Sequence, residues 1–316
     1  MKTTIKFKSV FPNISHARYN VAAWQKPDSG NIILIGRDVL APGKPGEPDI
    51  GSLVLSEFNK DGQIIYEYEV WMPKEGSYLL EDPRAITESN GEIVIGLTAL
   101  FHSENKTEAF PALVKLSPDW HGELPPVTVL PAFGPGKNMT PIGHDHFVFR
   151  PEGEEYNHRL ILFKFLDNGP EKVTELVFPN KLPWADWRAG TTMPPIWMPD
   201  AKGIFFIHGI SKKDGKYIYS IGVAKLIPKD DSYTIAVNPE PILTPDSFVD
   251  ENKNPITEEL RPDERRVVYA CGGILDKNHT DKLKLFVNVG DRMTVEVTFV
   301  LEEILEKLNS PNLIFG

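Results

Sequence analysis

The sequence holds a single cysteine, Cys271, so it can form neither an intrachain disulfide nor a multi-cysteine zinc site, and a reducing compartment suits it. It has no apolar run approaching the roughly 20 residues that a membrane-spanning helix needs. The start, MKTTIKFKSV, alternates lysine with short apolar stretches where a secretory signal would be continuously apolar. A cytoplasmic protein with no membrane partner is expected. Positive charge is also scarce: 34 Lys and Arg stand against 44 Asp and Glu, for a formal charge of −10, and no basic run offsets it. Such a surface repels a phosphate backbone, so nucleic acid is not an expected partner. There is no Gly-rich phosphate loop, no Gly-x-Ser-x-Gly elbow and no Cys-x-x-Cys pair. Nucleotide, esterase and redox chemistry therefore lack a foothold, and no cofactor is expected.

What is present is an ordinary globular composition, 41% hydrophobic and 25% charged, which is enough to bury a large core. The apolar residues come in short, β-branched, often alternating stretches at 31–37, 63–71, 93–100, 157–166 and 282–289, the pattern of strands. The 28 prolines argue against a helical protein, because an interior proline breaks a helix. Only 294–308 reads as a strand running into a terminal helix. Turn signals recur at Lys60-Asp61-Gly62, Ser89-Asn90-Gly91, Asp200-Ala201-Lys202-Gly203 and Lys213-Asp214-Gly215, each placed to close a hairpin.

An all-β chain of this length must manage its sheet edges, by a double sheet, a closed barrel or a propeller. Five propeller blades of about 60 residues would use the whole chain as one domain, 1–316. No clean sequence repeat is visible, so periodicity alone leaves a sandwich open. No composition shift marks a domain boundary, and the longer irregular stretches, 38–51 and 243–265, are candidates to line a central pocket. Assembly into a homo-oligomer stays open.

The segment richest in chemistry is Glu81-Asp82-Pro83-Arg84. Proline restricts the residue before it, so Asp82 has limited freedom. A general acid needs a carboxyl with a raised pKa; Glu81 would help by repulsion and Arg84 would oppose it. A surface turn with Asp82 and Arg84 paired explains the same residues. The triplet His144-Asp145-His146 has a metal-binding look, but strand neighbours point to opposite faces and only the two histidines could share one. No metal is expected.

The ordered set of motifs resembles glycoside hydrolase family 130, the β-mannoside phosphorylases and β-mannosidases, which are five-bladed propellers carrying a Glu-Asp-Pro-Arg motif. The likeness begins at Arg18-Tyr19-Asn20 and Arg37 and includes Glu81-Asp82-Pro83-Arg84, Lys137-Asn138 and Arg150-Pro151. It continues through Pro194-Pro195-Ile196 and His208-Gly209 to Val289-Gly290-Asp291. The resemblance implies an all-β five-bladed propeller with a short C-terminal helix and an oligosaccharide substrate. It implies Asp82 as the general acid, acting directly or through a substrate hydroxyl, and contacts to sugar from Asn20, Arg37, Glu81, Arg84, Asn138 and Asp291.

For the phosphorylases of the family, a basic cluster holds the inorganic phosphate that attacks the anomeric carbon; here Lys137, Arg150 and His208 are the candidates, with phosphate as co-substrate. The product would be α-mannose 1-phosphate. The family's lysine after Pro-Pro-Ile is replaced by Trp197, which favours an inverting β-mannosidase as the alternative. Asp186 and Asp200 are then candidate bases. A carbohydrate-binding propeller without turnover is a third reading. Whether Trp184, Trp187, Arg188 and Trp197 belong to core or pocket is not decided by sequence.

Overall fold

The structure is a computed structural model. It describes residues 6–14, 16–43, 48–74, 78–103, 106–143, 145–166, 169–179, 182–200, 202–230, 232–257, 265–276 and 279–316. Among these residues the strands form five sheets, which are the blades of a five-bladed β-propeller. The sandwich that periodicity left open is thereby excluded.

Blade 1 runs outward through Arg18–Gln25, Ile32–Ala41, Ile50–Phe58 and Ile64–Trp71. Blade 2 is Leu79–Thr87, Ile93–Ser103, Lys106–Leu116 and Thr128–Val129. Blade 3 is Gly136–Gly143, His146–Pro151, Arg159–Leu166 and Gly169–Val177. The main strands of blade 4 are Arg188–Thr191, Gly203–Lys213, Lys216–Lys229 and Ser232–Val237. Blade 5 takes Val268–Leu275, Lys282–Val289 and Met293–Val300 from the C-terminal side, and its outermost strand, Phe7–Ser9, from the N-terminal side.

That shared blade closes the ring: Phe7, Lys8 and Ser9 pair with Val297, Glu296 and Val295. At the axis the closure is tight, because a Cβ at Gly272 would lie 2.5 Å from the carbonyl oxygen of Val21 and 2.6 Å from the nitrogen of Ala23. Glycine lets the innermost strands of blades 5 and 1 touch backbone to backbone.

The core lies in the seams between blades. Ile33 and Ile35 face the blade 1–2 seam while Leu34 faces the blade 5–1 seam. Phe205 and Ile207 face blade 3, and Phe206 between them faces blade 5. Alternation by two sends neighbours to opposite faces, and here both faces are packed. Middle strands such as 31–37 therefore read as nearly unbroken apolar runs. The expected terminal helix, Leu301–Leu308, buries Ile304 and Leu308 against the blade 4–5 seam, and the chain then adds Ile314–Phe315 to the edge of blade 4. The turn at Lys213-Asp214-Gly215 has φ of +51° at Asp214 and +79° at Gly215, the left-handed pair that a two-residue hairpin requires. The residue Ala201 of another expected turn, and His144, lie outside the described residues. Among the described residues no three His, Cys, Asp or Glu side chains gather as a metal site would need, and no helix is long and apolar enough to cross a membrane.

Candidate functional site

The first strands of blades 1, 2 and 3 share an irregularity that their sequences conceal. In each, the ladder to the second strand slips: between Tyr19 and Ala22, between Glu81 and Arg84, and between Lys137 and Thr140. At each slip sits a residue with positive φ: Asn20 at +52°, Asp82 at +54° and Asn138 at +63°. Asn and Asp tolerate the left-handed region better than other non-glycine residues, and a β-bulge re-aims a side chain away from the pleat. Three blades thus aim one polar side chain each into the same space.

That space is a cavity of about 520 Å³ on the propeller axis. Asp82, Asn20, Arg37, Glu81, Asn138 and Asp291 line it, as do Lys137, Arg150 and His208. Nine of the ten residues that the sequence singled out therefore meet in one chamber, drawn from all five blades. The tenth, Arg84, does not line it. Arg84 is fully buried behind the wall. Its Nε donates to Thr192 O (2.8 Å), Nη1 to Asp82 O (2.6 Å), and Nη2 to Tyr269 Oη (2.6 Å) and Asn138 Oδ1 (3.2 Å). It braces the innermost strands of blades 2, 3 and 5 and the segment that follows Thr191 in blade 4, and it holds the backbone of Asp82. The expectation that Arg84 touches sugar is replaced by this structural role.

The charges around Asp82 are arranged in pairs. Arg37 donates to Glu81 Oε2 at 2.9 Å, and Lys137 to Glu81 Oε1 at 3.0 Å. Burial raises the pKa of Glu81, but Lys137 and Arg37 outweigh it and hold the group below its usual value. Asp82 goes the other way: burial raises its pKa first, the charge of Glu81 adds to this, and Arg84, Arg37 and Lys137 oppose it without prevailing. Two adjacent carboxyls driven apart in this way favour the anion at Glu81 and the protonated form at Asp82. Asn20 Nδ2 donates to Asp82 Oδ1 at 2.6 Å. Lys137 has spent its charge on Glu81.

A different situation holds across the chamber. Arg150, buried, has no hydrogen-bond partner for its Nε and no ion pair among the described residues. Its pKa is pushed down to about 10, by burial first and by the neighbouring Arg188 guanidinium second. Arg188 comes from the innermost strand of blade 4, lies over the Trp187 ring at 4.4 Å and donates to Asn157 Oδ1 at 2.9 Å. Both Arg188 and Trp187 line the chamber. His208 donates from Nδ1 to the carbonyl of Thr191 at 3.0 Å, which fixes its tautomer. Burial and then the charge of Arg150 push its pKa well below the usual value, so His208 is neutral at pH 7 and its Nε2 accepts.

Four other sequence candidates fall outside the chamber. Trp197 packs in the blade 3–4 seam against Tyr233 and donates from Nε1 to Ile142 O at 2.8 Å. A cation at that position would not face the cavity, so the absence of lysine there subtracts nothing from it. Trp184 is core, tied to Pro239 O. Asp186 is exposed and accepts from the Lys212 nitrogen, while Asp200 pairs with Lys202 at 2.7 Å on the surface; neither lines the chamber. Sequence reasoning gave no role to Tyr19, inside Arg18-Tyr19-Asn20, and missed Asp49, Glu152, Tyr219 and Tyr269, all of which line it. Of the four missed, Asp49 had a signal, since it lies inside the irregular stretch 38–51.

No family model matches the sequence, and no curated protein matches it. Solved structures do share its fold. A β-1,2-mannobiose phosphorylase from Listeria innocua superposes with a TM-score of 0.69 at 16% identity, over 96% of each chain. A glycosyl hydrolase from Bacteroides ovatus gives a TM-score of 0.65 at 15% identity, over 96% of this chain and 90% of its own. A mannose phosphorylase from Leishmania mexicana, solved with phosphate ion, gives 0.56 at 14% identity, over 95% of this chain and 87% of its own. At these identities the likeness establishes the fold: the chain is similar, over nearly its whole length, to five-bladed propellers of this group.

Proposed function

We propose that this chain is an intracellular glycoside phosphorylase of the family 130 kind, acting on β-mannosidic linkages in manno-oligosaccharides. The observation that carries the reading is the division of charge in one chamber. A carboxyl with a raised pKa, Asp82, shares the cavity with two guanidiniums, Arg150 and Arg188, neither of which has a carboxylate at ion-pair distance among the described residues. A buried guanidinium beside a half-buried one is costly without an anion between them, and planar guanidiniums suit the oxygens of phosphate.

In this reading Asp82 gives its proton to the glycosidic oxygen, or to a substrate hydroxyl that passes its own on, as the C1–O bond to the leaving sugar breaks. A phosphate oxygen held by Arg150 and Arg188 bonds to C1 on the opposite face, giving α-mannose 1-phosphate, and the proton that phosphate releases restores Asp82. Neutral His208 fits the monoprotonated phosphate dianion, because Nε2 can accept its hydroxyl proton. Asn20, Arg37, Asn138 and Asp291 orient the non-reducing mannose. The names of the fold neighbours, two of which are mannose or mannobiose phosphorylases, agree with a mannoside substrate.

One observation favours a second reading, hydrolysis with inversion. Glu152, at the chamber rim, is a carboxylate close enough to both arginines to be felt by them and could activate water. The test is sugar release from a panel of β-linked manno-oligosaccharides, with and without inorganic phosphate, following mannose and mannose 1-phosphate separately. Phosphate-dependent mannose 1-phosphate supports phosphorolysis. Free mannose at equal rates in both makes the chain a hydrolase, and sugar affinity without turnover makes it a binding propeller.

A further inference from the structure

One buried side chain behind the chamber reaches Asp82 through another residue. Asn288 lies on the second strand of blade 5, is 1% exposed and does not line the cavity. Its Nδ2 donates to Asp291 Oδ1 at 2.6 Å and to Asn20 Oδ1 at 3.0 Å. Its own Oδ1 is buried without a hydrogen-bond partner.

The direction of this chain follows from its far end. A carboxylate oxygen accepts, so Asn288 turns its NH2 group toward Asp291 Oδ1. The same NH2 group has a second hydrogen, which goes to Asn20, so Asn20 must present its carbonyl oxygen there. The opposite side of the Asn20 amide, the NH2, is then the side that meets Asp82 Oδ1 at 2.6 Å. The orientation of two amides, normally ambiguous, is decided by a carboxylate at one end. The orphaned Asn288 Oδ1 fits this, since it is the end the arrangement does not use.

Resting on the reading of Asp82 as the general acid, we infer that Asn288 is a positioning residue that, through Asn20, decides which oxygen of Asp82 carries the transferable proton. With Asn20 donating to Oδ1, a proton on that oxygen has nowhere to point, so it resides on Oδ2. If Asn20 turned over, its carbonyl would meet Oδ1 and hold the proton there, between two side chains and away from the sugar. A donor on Oδ1 also favours the carboxylate, so losing it raises the pKa of Asp82. The other groups that bear on Asp82 are Glu81 and Arg84 on its own strand, Arg37 from blade 1, Lys137 from blade 3, and Tyr269 and Cys271 from blade 5. Asp291 from blade 5 faces the same chamber and is the one charged group that a change at Asn288 also touches.

The experiment compares N288L and N288A, neither of which adds a charge, with wild type in the full-length enzyme, on a cleaved manno-oligosaccharide with phosphate. Thermal unfolding confirms that each variant is folded, and D82N is run beside them. Activity needs protonated Asp82, so kcat falls as pH rises through its pKa. Both variants are expected to lose roughly 10- to 100-fold in kcat, within the range a general acid supplies, and to show the alkaline limb of kcat at higher pH. Folded variants whose limb stays where the wild type has it, whatever their kcat, overturn the role of Asn288 while an inactive D82N leaves Asp82 as the acid. A D82N that keeps its activity overturns the reading of Asp82 itself and this inference with it.

Discussion

Two groups of cations face the same chamber and differ in what surrounds them. Arg37 and Lys137 close on the two oxygens of Glu81 and are neutralised by it, whereas Arg150 and Arg188 have no carboxylate at ion-pair distance among the described residues and feel the more distant Glu152. Four basic residues therefore do not make a fourfold anion site. The Glu81 group is a fixed frame that sets the state of Asp82, and the arginine pair is where an incoming anion gains most.

The sharpest break in the comparison is D82N, which removes the carboxyl proposed as the proton donor and leaves both cation groups intact. It is expected to lower kcat by roughly 10²- to 10⁴-fold with little change in the KM for the oligosaccharide. Next comes R188M on the arginine side. Losing a charge-assisted contact costs about 1.5–3 kcal/mol, so the KM for phosphate is expected to rise by roughly 10- to 100-fold, while the KM for sugar holds. An equal loss toward both substrates would mean the arginines do not form a separate anion subsite.

On the framed side, E81Q removes the charge that raises Asp82 and frees Arg37 and Lys137 to lower it. The pKa of Asp82 falls, so activity is expected to vanish at lower pH than in wild type, the opposite direction to the Asn288 variants. Breaking a buried pair also costs about 3 kcal/mol, readable as a lower melting temperature. The smallest effect on activity belongs to W197F, which removes the Nε1 bond to Ile142 O and part of the ring packed in the seam. Stability should fall by about 1 kcal/mol with kcat and both KM values unchanged, because the residue faces a seam rather than the chamber.

Much of the fold was legible because blades bury both faces of their middle strands. Runs such as 31–37 and 282–289 announce strands, and Asp214-Gly215 announces its turn. The repeat was not legible, because what recurs is a backbone conformation. Tyr19-Asn20, Glu81-Asp82 and Lys137-Asn138 occupy equivalent bulges, yet they share little chemistry beyond Asn or Asp at the left-handed position. The motif residues of the site were visible in order along the chain. Their division of labour was not: Arg84 and Trp197 are polar or aromatic residues in motif positions that the fold turns away from the cavity. Asn288, a lone asparagine in an apolar strand, carries no motif at all.

The sequence by itself determined the strand content, the turns, the terminal helix and the set of polar residues available for chemistry, since these depend on local patterning and side-chain type. Tertiary structure alone decided which charges cancel and which stay open, which carboxyl of Glu81-Asp82 is shifted up and which down, and which side chains meet. Those properties depend on burial and on partners brought from other blades, and Asn288 meets Asn20 across 268 positions of chain only because the ring closes between blades 5 and 1.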